Sequence, residues 1–333
     1  MLLDKTSRKI SILSFILFIG VMLIHTNNLE VYEINSNGFD FLAAVESGLS
    51  GISSSCVPIF FFISGFLFFR NFQISMLLDK YQSRIKSIVI PYIVWNTLYY
   101  FLFAFILKIP VLTNVINGNQ TVSTSVSGYV KYIYDGYYVF WFLRVLIWMI
   151  LWTPVWYLLL KRKKYFLSEI ALIVLLLIAL GKTPLPQNVV NAYYILGAYI
   201  GTNYCNWANK GNRKISALAV IGLPIIILLG KNYAGQFLYN CCFFVIIWMA
   251  LDLFTYKSDT KWWIKCTFYY YCAHDMILET IKKVILIIGG KSYFMAAVDY
   301  VLAPVLTLLV LIGGAVLLRK WMRPIWSLLN GGR

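Results

Sequence analysis

Charged residues are scarce in this sequence. Only 13% of its 333 residues are Asp, Glu, Lys or Arg, whereas 60% are hydrophobic and 17% are aromatic. A water-soluble domain carries charge on about a quarter of its residues, because those side chains coat the surface that faces water. The composition therefore excludes soluble enzymes, coiled coils and disordered chains, and it indicates an integral membrane protein.

Histidine and paired cysteine are also scarce. The chain has two histidines, His25 and His274, and its six cysteines show no CxxC spacing and mostly fall in apolar stretches. These residues cannot form an HExxH motif or a Cys/His cluster, so the sequence predicts no metal centre. Cysteines in apolar stretches are typical of small buried side chains, and a disulfide framework is not expected.

Apolar runs long enough to cross a bilayer recur along the whole chain. A membrane-spanning helix needs about 17–25 such residues, since every backbone polar group must be satisfied within the hydrocarbon. Ten candidate spans are predicted at about 10–26, 41–69, 87–107, 137–160, 166–181, 191–208, 215–230, 236–255, 262–286 and 297–318. The expected fold is an all-α polytopic transmembrane bundle, a single membrane-embedded domain over 1–333 with no appended soluble domain.

Basic residues outnumber acidic residues by 29 to 13, a formal net charge of +16. In a soluble chain this would suggest nucleic acid, but in a membrane protein Lys and Arg collect in cytoplasmic loops. With the N-terminus inside, 21 basic residues fall in inside segments and 7 in outside segments. This asymmetry predicts that both termini are cytoplasmic, without a nucleic-acid partner. Apolar residues at helical spacing also predict a cytoplasmic amphipathic helix at about 71–86.

The two histidines lie in apolar surroundings, where an ionisable group is costly and is a functional hypothesis by default. His25 ends the run ISILSFILFIGVMLIHT and is either a functional base or an interfacial histidine bonded to the adjacent loop. His274 has Asp275 beside it and Glu279 five positions later, which suits either chemistry or helix packing.

Arg144 falls within the predicted span at 137–160. A guanidinium cannot be neutralised, so three alternatives are open. It pairs with a carboxylate, for which Glu46 and Asp135 are candidates, it contacts a ligand anion, or it reaches an interface.

A series of motifs resembles the acyltransferase-3 family of integral membrane acyltransferases. The motifs are the first span ending in His25, VPIFFFISGFLFF at 57–69, IPYIVW at 90–95, WFLRVLIWMILWTPV at 141–155 and FYYYCAHD at 268–275. The resemblance covers nearly the whole chain. It implies transfer of an acyl group, commonly acetyl from acetyl-coenzyme A, to a hydroxyl of a carbohydrate or similar acceptor, with His25 catalytic. Many members carry Arg or Lys eleven residues before that histidine, where this chain has Ser14.

The expected function is therefore O-acetylation of a cell-surface or lipid-linked glycan at the bacterial cytoplasmic membrane, with a neutral imidazole taking the proton of the acceptor hydroxyl. The expected partners are membrane lipid, acetyl-coenzyme A and a carbohydrate or glycolipid acceptor, without a metal. The expected site residues are His25 and His274 as catalytic groups, Arg70, Arg84, Lys86 and Arg144 at the cofactor, and Glu46, Asn96 and Trp141 at the substrate.

A transporter or flippase of an envelope precursor is the alternative function. Buried polar groups suit a permeation path as well as they suit an active site. The sequence shows no inverted repeat, which counts against this alternative. A non-catalytic membrane sensor with the same fold is a third hypothesis.

We predict that residues near 162 face the cytoplasm and residues near 120 face the outside. The reason is the asymmetry of Lys and Arg between the two sets of loops. Single cysteines at these positions, on a cysteine-free background, can be labelled in intact cells with a reagent that does not cross membranes. The cysteine near 120 should react and the one near 162 should not, whereas the reverse pattern would contradict the topology.

Overall fold

The computed structural model describes residues 2–34, 40–106, 123, 125–161, 167–180, 188–206, 233–254 and 260–332. Over these residues the regular structure is helical, without a β-strand, so the all-α prediction is confirmed. The α-helices are α1 (Leu2–Ile24), α2 (Phe41–Ser53), α3 (Cys56–Phe69), α4 (Leu77–Arg84), α5 (Ile90–Ile106), α6 (Val126–Asp135), α7 (Trp141–Leu151), α8 (Thr153–Leu160), α9 (Leu167–Leu180), α10 (Asn188–Asn203), α11 (Tyr233–Phe254), α12 (Thr267–Gly289), α13 (Tyr293–Trp321) and α14 (Arg323–Leu329).

Four shorter helical segments connect some of these elements. Three are 3-10 turns, and a π-helical turn links α4 to α5. Their bounds are Ile74–Met76, Tyr138–Phe140 and Trp262–Cys266 for the 3-10 turns and Ile85–Val89 for the π-helical turn.

The chain divides into two compact units, each assembled from three separate stretches of sequence. Unit 1 comprises Met1–Ile24, Phe41–Lys80 and Met149–Thr267. Unit 2 comprises His25–Asp40, Tyr81–Trp148 and Phe268–Arg333. Each unit therefore depends on contacts between residues that are distant in the sequence.

Unit 1 contains a helix crossing built on glycine. A side chain at Gly65 of α3 would collide with the backbone of Tyr194 in α10, and one at Gly197 of α10 would collide with the backbone carbonyl of Phe62. Gly201 meets the α3 backbone in the same way one turn later. Small residues let two helix backbones approach closely, which supplies the van der Waals contact that holds helices together in lipid.

Unit 1 also buries an ion pair between α1 and α11. The ammonium of Lys9 lies 3.0 Å from Oδ2 of Asp252, with 1% and 9% of the two side chains exposed. The same ammonium lies 4.2 Å from the centre of the Trp248 ring. Removing one partner would leave a buried charge without compensation, at a cost of about 3–5 kcal/mol.

In unit 2, aromatic side chains use their polar atoms to bind backbone carbonyls. The indole N–H of Trp95 in α5 donates to the carbonyl of Leu329 in α14 at 3.0 Å, and the Tyr99 hydroxyl donates to the carbonyl of Cys272 in α12 at 2.9 Å. These rings supply large apolar contact area, and the hydrogen bonds satisfy groups that would be costly to bury unpaired. They fix α5 against α12 and the C-terminal helix.

Five helical segments are long and apolar enough to cross a membrane, or six if the bent pair α6–α7 is one span. The five are Thr6–Ile24, Phe41–Phe69, Ile74–Phe105, Gln236–Leu253 and Tyr293–Trp321. The chain is thus a multi-pass membrane protein, while the count of ten spans and the cytoplasmic termini stay predictions. The candidate span at 215–230 lies outside the described residues, and α12, expected as a span, carries Asp275, Glu279, Lys282 and Lys283.

The segment at 71–86 is helical from Ile74 onward. Ile74, Leu78 and Ile85 are 50%, 72% and 48% exposed, so apolar side chains line its outer face. An exposed apolar stripe on a helix with charged neighbours is typical of a helix that rests at a lipid interface. Its position on the cytoplasmic side stays a prediction.

We predict that Gly197→Ala destabilises the protein whereas Gly313→Ala does not. The new methyl group at 197 would overlap the Phe62 carbonyl, while at 313 in α13 it would meet no atom within 4 Å. Overpacking of this kind costs about 1–3 kcal/mol, and alanine is otherwise the better helix former by about 1 kcal/mol. Thermal unfolding in detergent micelles would give the midpoint temperature of both variants. Equal midpoint temperatures would contradict the close approach of α3 and α10 at Gly197.

Candidate active site

The two histidines of the chain meet in unit 2. His25 is the first residue after α1, with 22% of its side chain exposed, and His274 is fully buried in α12. The centres of the two imidazole rings are 5.5 Å apart. The fold therefore brings together the two residues that the sequence nominates as catalytic.

The carboxylate of Asp275 lies at the centre of the polar contacts near His25. It is fully buried and accepts two hydrogen bonds of 2.6 Å, one from the Tyr137 hydroxyl to Oδ2 and one from the Tyr138 hydroxyl to Oδ1. Oδ1 also lies 3.9 Å from Nδ1 of His25. A buried carboxylate needs such donors because an unpaired charge away from water is costly.

The hydroxyl of Tyr138 connects His25 to Asp275. Its oxygen lies 2.6 Å from Oδ1 of Asp275 and 3.0 Å from Nδ1 of His25. A tyrosine hydroxyl has one hydrogen, so when it donates to the carboxylate its oxygen accepts from the Nδ1–H of His25. This network assigns the tautomer that carries its lone pair on Nε2. In the described part of the chain, His25 Nε2 makes no hydrogen bond.

A sharp turn between α6 and α7 places the two tyrosines. The chain bends by 50° there, and Gly136 adopts a φ of +74°, a left-handed value that favours glycine. The amide of Asn96 in α5 is fully buried and bonds backbone on both sides, accepting from the Tyr137 N–H at 2.6 Å and donating to the Tyr92 carbonyl at 2.8 Å. Asn96 therefore holds the turn, while substrate contact by Asn96 stays a prediction.

The ring of His274 is oriented by its own helix. Its Nδ1 lies 2.7 Å from the carbonyl oxygen of Tyr271, three residues earlier, a distance suited to an N–H donor. The hydroxyl of Tyr271 in turn donates to the carbonyl of Val139, in the 3-10 turn that begins at Tyr138. This turn thus carries the Tyr138 hydroxyl that contacts His25, and it also binds Tyr271, whose carbonyl contacts His274.

A metal ion is a chemical alternative for this cluster. His25, His274 and Asp275 are the one group of three or more metal-ligating side chains found among the described residues, and their ligand atoms lie within 4.8 Å of one another. Two imidazoles and a carboxylate suit Zn²⁺. A metal on His25 would take either the nitrogen that faces Tyr138 or the lone pair on Nε2. The expectation of no metal stays a prediction.

Arg144 closes the bend between α6 and α7. Its Nη1 donates to the backbone carbonyl of Asp135 at 2.6 Å. Carbonyls in the last turn of a helix lack an intrahelical donor, and the guanidinium supplies one at the end of α6. This contact is to the main chain of Asp135 rather than to its carboxylate, so the alternatives left open by the sequence stay predictions. Trp141, expected at the substrate, begins α7 and is partly exposed.

The remaining expected contact residues lie in both units, and their roles stay predictions. In unit 2, Arg84 ends α4 and is partly buried, and Lys86 is exposed in the π-helical turn. In unit 1, Arg70 follows α3 and its guanidinium lies 5.9 Å from the centre of the Phe66 ring, while Glu46 is buried in α2.

A family comparison decides the class of the protein. The chain matches the acyltransferase-3 family model, described as an acyltransferase domain, over residues 9–320, which is nearly its whole length. The chain belongs to the acyltransferase-3 family. The resemblance inferred from the motifs is thus confirmed, and this acyltransferase-3 protein is a membrane acyltransferase. Among curated proteins and solved structures, none matches the chain.

Sequence reasoning missed the tyrosines of this acyltransferase-3 site. Tyr137 and Tyr138 directly follow Asp135 and Gly136, and the sequence indicates Asp275 only as a neighbour of His274. A carboxylate in an apolar helix implies that donors lie near it. The chain contains 24 tyrosines, however, and no pattern in the sequence selects these two.

We predict that Tyr138→Phe changes the tautomer equilibrium of His25 and leaves His274 unchanged, because it removes the acceptor of the His25 Nδ1–H. Two histidines give two sets of imidazole signals in ¹⁵N NMR of histidine-labelled protein, and His274→Ala assigns them. Tyr134→Phe is the matched control, since Tyr134 is 67% exposed on α6. An unchanged His25 spectrum in Tyr138→Phe would contradict the hydrogen bond.

Proposed function

We propose that this protein transfers an acetyl group from acetyl-coenzyme A to a hydroxyl of a cell-surface or lipid-linked glycan, with His25 as the general base. The observation that carries the proposal is the contact of His25 Nδ1 with the Tyr138 hydroxyl, which is itself bonded to Asp275. This contact directs the proton to Nδ1 and leaves Nε2 as a base on a partly exposed ring. A base positioned in this way contributes about 10²–10⁴-fold to rate.

The reaction proceeds by direct transfer in this proposal. Nε2 of His25 takes the proton of the acceptor hydroxyl while that oxygen forms a bond to the thioester carbonyl carbon. The tetrahedral intermediate then breaks its C–S bond, and the departing sulfur takes the proton back from the imidazolium. The products are the acetyl ester and free coenzyme A. A thiolate is a good leaving group, so no acyl-enzyme is needed.

Asp275 supports the charged form of His25 through Tyr138. During the reaction the imidazole gains a positive charge, and a buried carboxylate two hydrogen bonds away stabilises that charge. Because the charge develops only as the proton moves, the benefit is larger in the transition state than in the ground state. His274, packed against His25, restricts the ring to this orientation.

Basic residues bind the phosphates of coenzyme A in this proposal. Arg70, Arg84, Lys86 and Arg144 are the candidates, and guanidinium groups suit phosphate because they donate in pairs. At the position where many family members carry Arg or Lys, this chain has Ser14. The buried Lys9 of α1 is paired with Asp252. Neither Ser14 nor the paired Lys9 is therefore a candidate contact for the donor. Glu46 and Trp141 are the candidate acceptor contacts.

We predict that His25→Ala abolishes transfer, with kcat falling by about 10²–10⁴-fold, while the protein still inserts in the membrane. Asp275→Asn should lower kcat with little change in the KM for the donor, because it removes an interaction made mainly in the transition state. The assay follows label from radioactive acetyl-coenzyme A into the lipid-linked glycan fraction of the source membranes, with protein in nanodiscs.

Two further measurements make this test decisive. Tyr134→Phe should transfer label at the wild-type rate, since it alters a surface tyrosine of the same unit. A wild-type rate in His25→Ala would remove His25 from the mechanism. If wild-type protein neither transfers nor hydrolyses the labelled thioester but moves the glycan lipid across a vesicle membrane, the acetyl-transfer proposal would be wrong.

A further inference from the structure

The chain that follows α1 leaves helical geometry at the residue that carries the proposed base. α1 ends at Ile24, and residues 25–28 are not helical. The carbonyls at the end of a helix have no donor within the helix, and in apolar surroundings water does not replace it. Other side chains must therefore satisfy the backbone of this segment, and those side chains determine where the His25 ring lies.

Lys282 of α12 supplies donors to this segment. Its Nζ lies 3.0 Å from the carbonyl oxygen of His25 and 3.3 Å from that of Asn27. A third contact, 3.0 Å long, reaches Oε1 of Glu279 one turn earlier on α12. An ammonium has three N–H donors and no acceptor, so the three contacts account for all of its hydrogens.

Burial of Lys282 makes these contacts specific. The residue is 8% exposed, whereas most lysines keep the ammonium in water. Lys282 lies within α12 rather than in a loop. A buried ammonium needs compensation, and the Glu279 carboxylate and the two carbonyl dipoles provide it. The ammonium therefore has a single arrangement, in which it holds the His25 backbone.

A second anchor holds the far end of the segment. The side-chain N–H₂ of Asn28 donates to the carbonyl of Ala296 at 2.9 Å and to Oδ2 of Asp299 at 2.8 Å, both in α13. Asn28 and Asp299 are each 1% exposed. With the backbone fixed at Asn28, the contacts of Lys282 define the path of the three residues before it.

We propose that Lys282 is a positioning residue for His25, and this rests on the proposed function of His25 as the base. Lys282 does not reach the reacting atoms, because its hydrogens are committed to the two carbonyls and Glu279. It fixes the His25 backbone at the distance where Nδ1 meets the Tyr138 hydroxyl. Since a displacement of about 1 Å in a reacting group can cost about 10²-fold in rate, the contact is needed for catalysis rather than only for folding.

The matched pair of variants is Lys282→Met and Lys283→Met. Both remove one ammonium from adjacent positions of α12 and leave an unbranched apolar chain of similar length. Lys283 is partly exposed, and in the described part of the chain no hydrogen bond joins it to residues 25–28. A difference between the two variants thus reports the position of the charge rather than its loss.

The expected result for Lys282→Met is a fall of about 10–10²-fold in kcat for acetyl transfer from labelled acetyl-coenzyme A, with the KM for the donor within about twofold of wild type. Histidine ¹⁵N NMR should show a displaced His25 signal and an unchanged His274 signal. Lys283→Met should match wild type in both measurements. Lys282→Arg, which keeps donors for the carbonyls, should recover part of the kcat.

The two readouts separate failure of this inference from failure of the proposed function. If Lys282→Met keeps both the wild-type kcat and the wild-type His25 spectrum, Lys282 does not position His25. If the His25 spectrum changes as expected but His25→Ala retains full activity, the positioning contact stands and the general-base proposal is wrong. Should Lys282→Met lose the wild-type His274 signal, and so its fold, Lys282→Arg decides. A kcat that follows the His25 signal in this variant supports the contact, and a change in one of the two without the other, at a native His274 signal, overturns it.

Discussion

The buried carboxylate of Asp275 is the constraint around which the site of unit 2 is arranged. A charge held away from water must be met by donors, and the nearby chain supplies two tyrosine hydroxyls at 2.6 Å. One of these hydroxyls carries the contact onward to His25. The bend at Gly136 and the buried amide of Asn96 both serve to bring these hydroxyls to the carboxylate.

The same requirement explains the backbone around His25. After the end of α1, backbone carbonyls have no donor within the helix. The ammonium of Lys282 supplies donors to two of them, the carbonyls of His25 and Asn27. Polar groups of both side chain and main chain are therefore compensated in these apolar surroundings. Tyr137 and Tyr138 donate to the Asp275 carboxylate, and Lys282 donates to the backbone carbonyls of His25 and Asn27. The position of the proposed base therefore depends on hydrogen bonds to its side chain and its backbone, in addition to the packing of apolar side chains.

Part of this site could be predicted from the sequence. His25 and His274 stand out because the chain has two histidines in long apolar runs, where ionisable groups are costly. Tyr137 and Tyr138 could not be selected, since tyrosine occurs throughout the chain. Asn96 was expected at the substrate, and its bonds to the backbone of Tyr92 and Tyr137 depend on which chain segment lies opposite. The role of Lys282 could not be predicted either, because local sequence does not reveal which partners compensate a charge on a helix.

The sequence by itself determined that the protein is an all-helical membrane protein, that it resembles the acyltransferase-3 family, and that two histidines are its candidate reacting groups. Those conclusions depend on composition, on the length of apolar runs and on the order of motifs, all of which are local properties of the chain. Only the tertiary structure decided that the histidines lie 5.5 Å apart and that Tyr138 connects His25 to Asp275. Hydrogen bonds act over about 3 Å, and residues separated by more than a hundred positions come within that distance only when the helices have packed.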